Sequence, residues 1–429
     1  MVQMLSEAFP YWQLKGAEFT SWIWVDTGSE EEAEKAVDVA KSCGCPIRWG
    51  KYGYQQSTHI RFAVRSINKF RVLYDALNSE IMAAKGTLFH GGQDWLTTEN
   101  LVEDFGTTTS MMGPHPDGLS QLAGNLHKLA HYPPLDHAPY RSQLANFLDL
   151  KHERLVLGNG SSELIDMCIR LAPPGGYITG PFDVQYKEYE NSCARYNRPV
   201  NKVNPSLMVM VNPNNPTGDY LPIDNFKAYL ERVTKPGMYV IIDESMQPWY
   251  GPEWREHALY HQFDWIQSML QKNIHVIIIH SWTKLFSCPG IRIGSAILPC
   301  MEDYDLIVKH QVPWNVNIFA LEYLSKCVTE GKAYLSDTWQ LTCETRARMV
   351  QMLSEAFPYW QLKGAEFTSW IWVDTGSEEE AEKAVDVAKS CGCPIRWGKY
   401  GYQQPTHIRF AVRSINKFRV LYDALVNEM

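Results

Sequence analysis

The sequence predicts an α/β protein with a larger domain on a mostly parallel sheet, a smaller α+β domain after it, and an N-terminal partial duplicate of the smaller domain. Three observations carry this. Apolar runs at 207–211, 240–242 and 276–279 each end in polar turn chemistry, as buried parallel strands do when their ends face a ligand. The C-terminal stretch alternates short strand and helix signals. Residues 1–81 recur as 349–429 and differ only at Ser57/Pro405, Asn78/Val426, Ser79/Asn427 and Ile81/Met429.

The repeat sets the expected boundaries. An offset of 348 residues and near-identity exclude a solenoid, whose repeats run to about 20–50 residues. The pattern looks like a duplication with Met82 as the original start, because 82–429 is itself 348 residues. We therefore expect a duplicate over 1–81, an N-terminal arm over 82–114, the larger domain over 115–315 and the smaller domain over 316–429. Copy one begins at the equivalent of Met349, inside what reads as a long helix over 334–357. It should lack most of that helix, and with it the cover for one sheet face.

Within the repeated segment, 365–373 is strand-like. Ser377-Glu-Glu-Glu380 reads as a capping box opening a helix to about Ser390. Short strands at 394–397 and 407–412 and a helix from about Asn416 complete it.

Composition narrows the function classes. With 429 residues, 45% hydrophobic and 21% charged, the chain can bury two or more cores. Net charge is −8 without a basic cluster, which argues against nucleic acid and anionic membrane surfaces as partners. There is no apolar run of about 18 residues and no signal-like N-terminus, so neither a membrane span nor a secretory leader is expected. Ten cysteines scattered without zinc-like spacing fit reduced thiols in a cytoplasmic setting, and Cys391-Gly-Cys393 reads as small buried apolar groups rather than a metal site.

The chemistry concentrates in 280–294. Lys284 leaves a buried strand between Ser281 and Thr283 and is followed by Arg292, a set suited to one amine and one phosphate. Leu155-Val-Leu-Gly158-Asn159-Gly160-Ser161-Ser162 passes from strand through a glycine turn into a helix whose free N–H groups suit an anion. Asn215 lies in a Pro-rich turn after the 207–211 run, and Asp243 ends another strand.

In order and spacing, Asn215, Asp243, Lys284 and Arg292 resemble the fold type I pyridoxal-phosphate enzymes of the class I/II aminotransferase group. His90-Gly91-Gly92, Asp104-Phe105, Gly113-Pro114, Tyr132-Pro133 and Gln311-Val-Pro313-Trp314-Asn315-Val-Asn317 resemble its threonine-phosphate decarboxylase and histidinol-phosphate aminotransferase branch. The resemblance implies pyridoxal 5'-phosphate as cofactor, with Lys284 as Schiff-base lysine and proton shuttle and Asp243 against the pyridine nitrogen. Asn215 would meet the phenolic oxygen, and Ser161, Ser162, Ser281 and Arg292 the phosphate.

It also implies Phe182 stacked on the ring, Tyr132 reaching the cofactor of a second subunit in a homodimer, and His90, Gly91, Thr108, Asn215, Arg396 and Arg409 around a small amino-acid substrate. Arginine suits carboxylate and phosphate because its planar fork meets two oxygens. Some positions depart from the family. Thr108 and Ser110 replace asparagines, Met246 replaces an aromatic, Phe182 lies one place early, and Arg396 is one residue closer to Arg409. Three activities stay open: decarboxylation of L-threonine O-3-phosphate as the first choice, histidinol-phosphate-type transamination, and cofactor binding without turnover.

Overall fold

In the computed structural model, which describes residues 1–9, 11–16, 20–84, 92–182 and 184–429, the apolar runs form one six-stranded sheet. Its order is Leu155–Gly158, Gly294–Ile297, His275–Ser281, Tyr239–Asp243, Pro205–Val211, Gly176–Thr179. All neighbours are parallel except Gly294–Ile297, which is antiparallel to both of its partners. Alternation sends Met208, Met210, Val240, Ile242, Val276 and Ile278 into one core and Leu207, Val209, Ile241, Ile277 and Ile279 into another. Burial on both faces is why these strands read as unbroken apolar runs. Each such side chain contributes about 1.5–3 kcal/mol.

Val211 pairs with Asp243, and Asp243 with Ile279, so three strands end in line. The loops carrying Asn215, Asp243 and Lys284 therefore leave the same sheet edge.

Two units compose the chain, Met1–His90 and Gly91–Met429. In the second, helix Ile318–Glu330 packs on Pro116–Gly124 and Tyr140–Leu148. The 25-residue helix Lys332–Ala356 follows and is roughly 37 Å long. It carries Tyr334 and Leu335 into the core of the large sheet and Met349, Met352 and Leu353 into a second core, so one rigid element ties the two. The second core lies on a four-stranded antiparallel sheet ordered Gln361–Lys363, Trp370–Asp374, His407–Ala411, Arg396–Trp397. The strand expected from 365 begins only at Trp370, because Thr368 N–H donates to Ala365 O in a tight turn (3.0 Å).

The capping box forms by half. Ser377 Oγ accepts from Glu380 N–H (3.1 Å), but the Glu380 carboxylate accepts instead from Trp360 Nε1 (2.8 Å) and Tyr359 OH (2.6 Å). The arm has no strand of its own but runs along the rim of this sheet. Val102 N–H donates to Gly392 O (2.8 Å), Phe105 N–H to Pro394 O (2.9 Å), and Ala411 N–H to Phe105 O (2.8 Å), while the Phe105 ring enters the second core.

Copy one keeps the same four-stranded order, with helices Val2–Ala8, Glu30–Ser42 and Ile67–Ala84. The expected loss of cover falls on the other face. Val2–Ala8, although short, supplies Leu5 and Ala8, and Phe9 and Trp12 follow it over Ile23, Val25 and Phe62. The opposite face is the open one. Trp22 is 44% exposed where its equivalent Trp370 is 0%, because Trp370 is sealed against the large sheet's core and donates to Pro216 O (2.6 Å). Helix Ile67–Ala84 runs through Met82, so the repeat ends inside regular structure.

The two copies make a matched stability test. Gly392 (φ +76°) and Gly44 (φ +71°) both need left-handed backbone, but an added Cβ would meet Asn100 O at 2.4 Å at Gly392 and nothing within 4 Å at Gly44. Gly44→Ala should cost about 1 kcal/mol. Gly392→Ala should cost a further ~1–3 kcal/mol by forcing the arm off its edge. Urea unfolding of the single variants reads the difference, and equal costs would contradict the arm's placement.

Candidate active site

Lys284 stands in a single helical turn, Trp282–Leu285, directly after strand His275–Ser281. The turn is held from two sides. Ser110 N–H donates to Lys284 O (2.9 Å), which brings the arm under the lysine, and Ser281 N–H donates to Ser245 Oγ (2.7 Å), which fixes the strand end to the Asp243 loop. The half-buried Lys284 amine lies in the fields of Arg409, Arg292, Asp104 and Asp243. Burial first, and then the two guanidinium groups, push its pKa down to about 8.

Asp243 is buried and hydrogen-bonded through both oxygens. Oδ1 accepts from Ser245 N–H (2.8 Å) and Oδ2 from Tyr189 OH (3.0 Å). Burial raises its pKa against these hydrogen bonds and against Lys284. A carboxylate in that position is stabilised by a cation set against it, as a protonated pyridine nitrogen would be.

An anion cradle lies beside it. Gly160 (φ +79°) precedes helix Ser161–Leu171, and a Cβ on Gly160 would sit 2.4 Å from Arg292 Nη2, so glycine alone lets the guanidinium reach the helix start. Gly294 joins the parts. It pairs with Gly158 on one side and Ser281 on the other, and its own missing Cβ makes room for Ser161 N. Ser281 and Thr283 hydroxyls bond each other (2.8 Å) at that edge. Ser161 is buried and Ser162 half-buried. A guanidinium, a helix N-terminus and hydroxyls around glycines fit a phosphate, and the raised Asp243 and depressed Lys284 fit the ring and aldehyde of the implied cofactor.

Asn215 faces the smaller core. The peptide between it and Pro216 is cis, as the resemblance implies. Its Oδ1 accepts from Arg409 Nη1 (2.6 Å), which leaves Nδ2 as the donor. Arg409 Nη2 donates to Gly106 O of the arm (2.6 Å), and Arg409 pairs in register with Arg396. Both arginines are buried. Arg396 donates to Tyr400 O (3.0 Å) and lies over the Tyr402 ring, and burial, aided by Arg409, lowers it to about 10. Thr108 is buried in the arm. His90 and Gly91 lie outside the described residues.

Two expected residues stand apart from this cluster. Tyr132 is 77% exposed and stacks on Trp314 with ring centroids 4.4 Å apart. Phe182 packs against the core of Met208 and Ile242, while Tyr186, four residues on, is the aromatic in the field of Asp243, Tyr402 and Arg292.

The sequence reading missed Tyr189 and Arg413. Tyr189 reaches Asp243 from helix Glu188–Arg195, and no motif announces it. Arg413 donates to Asp104 O (3.0 Å), Thr107 O (2.6 Å) and Thr109 O (2.9 Å), threading the arm. Its spacing of four from Arg409 on an extended segment was a usable signal. At the far end of the strands, His275, Cys300 and Asp303 come close enough to share an ion, but Asp303 already accepts from His275 Nδ1 (2.6 Å), Tyr239 OH (2.7 Å) and Cys300 Sγ (3.1 Å).

The chain is similar to known proteins over most of its length. The family model described as aminotransferase class I and II matches residues 104–206 and 193–425. Histidinol-phosphate aminotransferase 1 of Mannheimia succiniciproducens is 23% identical over 328 residues, covering 71% of this chain and 84% of that protein. Among solved structures, histidinol-phosphate aminotransferase of Sinorhizobium meliloti in complex with pyridoxal-5'-phosphate aligns with TM-score 0.69 and 18% identity, over 80% of this chain and 96% of that one. L-threonine-O-3-phosphate decarboxylase of Porphyromonas gingivalis aligns with TM-score 0.62 and 19% identity, over 76% and 98%.

The depressed amine gives a pH test. Neutral Lys284 is present above about pH 8, whereas ordinary lysines reach that state only near 10.4. Trapping of a small aldehyde on Lys284 by borohydride, followed by peptide mass spectrometry, should reach half its maximal rate near pH 8. A midpoint above pH 10 would show that the amine is not depressed.

Proposed function

The chain belongs to the class I and II aminotransferase family, and from that premise we propose that it is a pyridoxal-phosphate enzyme acting on a small amino compound that carries phosphate. When bound, the cofactor supplies an electron-poor ring that weakens the bonds at the substrate's Cα. Lys284 would hold the cofactor through its amine, which burial, Arg292 and Arg409 poise to give up and take back a proton. Asp243, oriented by Tyr189 and Ser245, would hold the pyridine nitrogen protonated. Asn215, its amide turned by Arg409, would donate to the phenolic oxygen. Gly160, Ser161, Ser162, Ser281 and Arg292 would hold the phosphate.

The observation that carries the substrate class is the register pair Arg396–Arg409, two buried guanidinium groups side by side on the strands facing Lys284's domain. Two forks take two anions. That pairing favours an amino acid with both carboxylate and phosphate, so decarboxylation of L-threonine O-3-phosphate is our first reading. The likeness to histidinol-phosphate aminotransferases over most of the chain favours the second, transfer of an amino group from histidinol phosphate to 2-oxoglutarate. Both reactions would use every residue named here and differ in which bond at the substrate's Cα the site positions to break. Thr108, with His90 and Gly91, lies in the arm segment that would meet the substrate.

We further propose a homodimer, because the exposed Tyr132–Trp314 stack lies in a stretch of sequence whose Leu126, Leu129 and Leu135 are also exposed, apolar groups of the kind that subunits cover. No helix among the described residues is long and apolar enough to cross a membrane, and all ten cysteines are free, which favours a cytoplasmic setting.

Assay of the pure protein with threonine phosphate, and separately with histidinol phosphate plus 2-oxoglutarate, separates the readings. Loss of carbon dioxide supports the first and formation of glutamate the second. Inertness toward both, in protein that binds the cofactor, would support binding without turnover. Lys284→Ala should abolish turnover and borohydride-fixed cofactor. Arg409→Ala should lower kcat/KM by about 2–4 kcal/mol through loss of a charged bidentate contact, while Arg61→Ala in copy one leaves it unchanged. The reverse pattern would assign the site to the N-terminal copy.

In the dimer, Tyr132→Phe should weaken cofactor affinity by about 1.5–3 kcal/mol, one hydrogen bond to a charged group. A fully active monomer by light scattering would rule this out.

A further inference from the structure

The duplication leaves one well-defined surface that the proposed reaction does not use. In the C-terminal copy the arm lies in a cradle made by Gly392 O, Pro394 O, Ala411 N, Arg409 and Arg413. Gly392 O accepts from Val102 N–H (2.8 Å), Pro394 O from Phe105 N–H (2.9 Å), and Ala411 N–H donates to Phe105 O (2.8 Å). Arg409 Nη2 holds Gly106 O (2.6 Å), Arg413 holds Asp104 O, Thr107 O and Thr109 O, and Lys417 Nζ holds Val102 O (2.9 Å).

Every one of these groups has an identical counterpart in copy one: Gly44, Pro46, Ala63, Arg61, Arg65 and Lys69. None of the four differences between the copies falls on the cradle. The strands that shape it have the same order and register, Arg48 facing Arg61 as Arg396 faces Arg409.

Among the described residues the counterpart cradle is open. Gly44, Pro46, Ala63 and Arg65 are exposed. Val64 is 44% exposed where Val412 is 1%. Arg65 donates only to its neighbour Val64 O (3.2 Å), and nothing lies within 4 Å of where a Gly44 Cβ would be, the place Asn100 O fills at Gly392. Exposed residues in the loop before strand Arg48–Trp49 and at the end of strand His59–Ala63 leave backbone groups for an added extended segment, and the guanidinium groups set which one.

We propose that the N-terminal copy is a docking surface for the arm segment, residues 102–109, of a second copy of this chain. The occupant follows from the cradle itself, because the identical residues of the C-terminal copy, on strands of the same register, already hold that segment. Since each arm is engaged on its own C-terminal copy, docking between chains proceeds by exchange and grows with concentration.

A fluorescein-labelled peptide of residues 100–111, titrated into the full chain and followed by anisotropy, isolates the surface from the exchange. The expected result is saturable binding of one peptide per chain, weakened at least tenfold by Arg65→Ala and by Phe105→Ala in the peptide. Arg65 is exposed, so its replacement should leave the circular dichroism spectrum intact. Absence of saturable binding would overturn the proposal. So would binding unaffected by Arg65→Ala but strengthened by Arg413→Ala, since the peptide would then be entering the C-terminal copy.

Discussion

Lys284 is a half-buried amine placed among other positive groups, and the arrangement of the larger unit follows from keeping it there. Removal from water and the fields of Arg409 and Arg292 disfavour its charged form, while Asp243 and Asp104 prevent a complete loss. An amine balanced in this way can attack a carbonyl and also return a proton at neutral pH. The balance needs three strand ends in line, a glycine turn that admits a guanidinium, and an arm that closes the site from below. Each is a backbone requirement before it is a side-chain one.

That ordering explains what could be read from the chain alone. The strands were legible because burial on both faces leaves no polar position in 207–211 or 276–279, and the loop chemistry was legible because Asn215, Asp243 and Lys284 follow those runs directly. Arg409 and Arg396 were legible as a pair, although only the register shows that they stand opposite one another. Tyr189 was hidden, because its contact with Asp243 depends on how helix Glu188–Arg195 packs against the sheet, and its neighbours carry no pattern. The role of the arm was hidden for a similar reason. Its bonds run to residues about 300 positions away, and nothing local to 102–109 distinguishes a docked segment from a loop.

The repeat shows how far local sequence reaches. Nearly identical chains give the same four strands in the same order, down to Ser29 and Ser377 each accepting from the third residue of its helix. Yet the burial of Trp22 and Trp370 differs completely. Sequence decides the element, and the surroundings decide whether its second face is core or surface. The long helix was a partial exception to the expectation, since its last two turns suffice to cover the helical side of copy one.

The grip of Arg413 on the arm has a dynamic consequence. Irregular segments ordinarily open on their own and exchange their amide protons quickly. Here the amides of Val102 and Phe105 are bonded to the small sheet's rim, the Phe105 ring is interior, and one guanidinium spans the carbonyls of Asp104, Thr107 and Thr109. Releasing the segment means breaking that whole set together, and exposing a buried cation as it goes. The arm should therefore belong to the same cooperative opening unit as the smaller core, exchanging on the timescale of its strands rather than that of a loop, and the floor beneath Lys284 persists for as long as that core does.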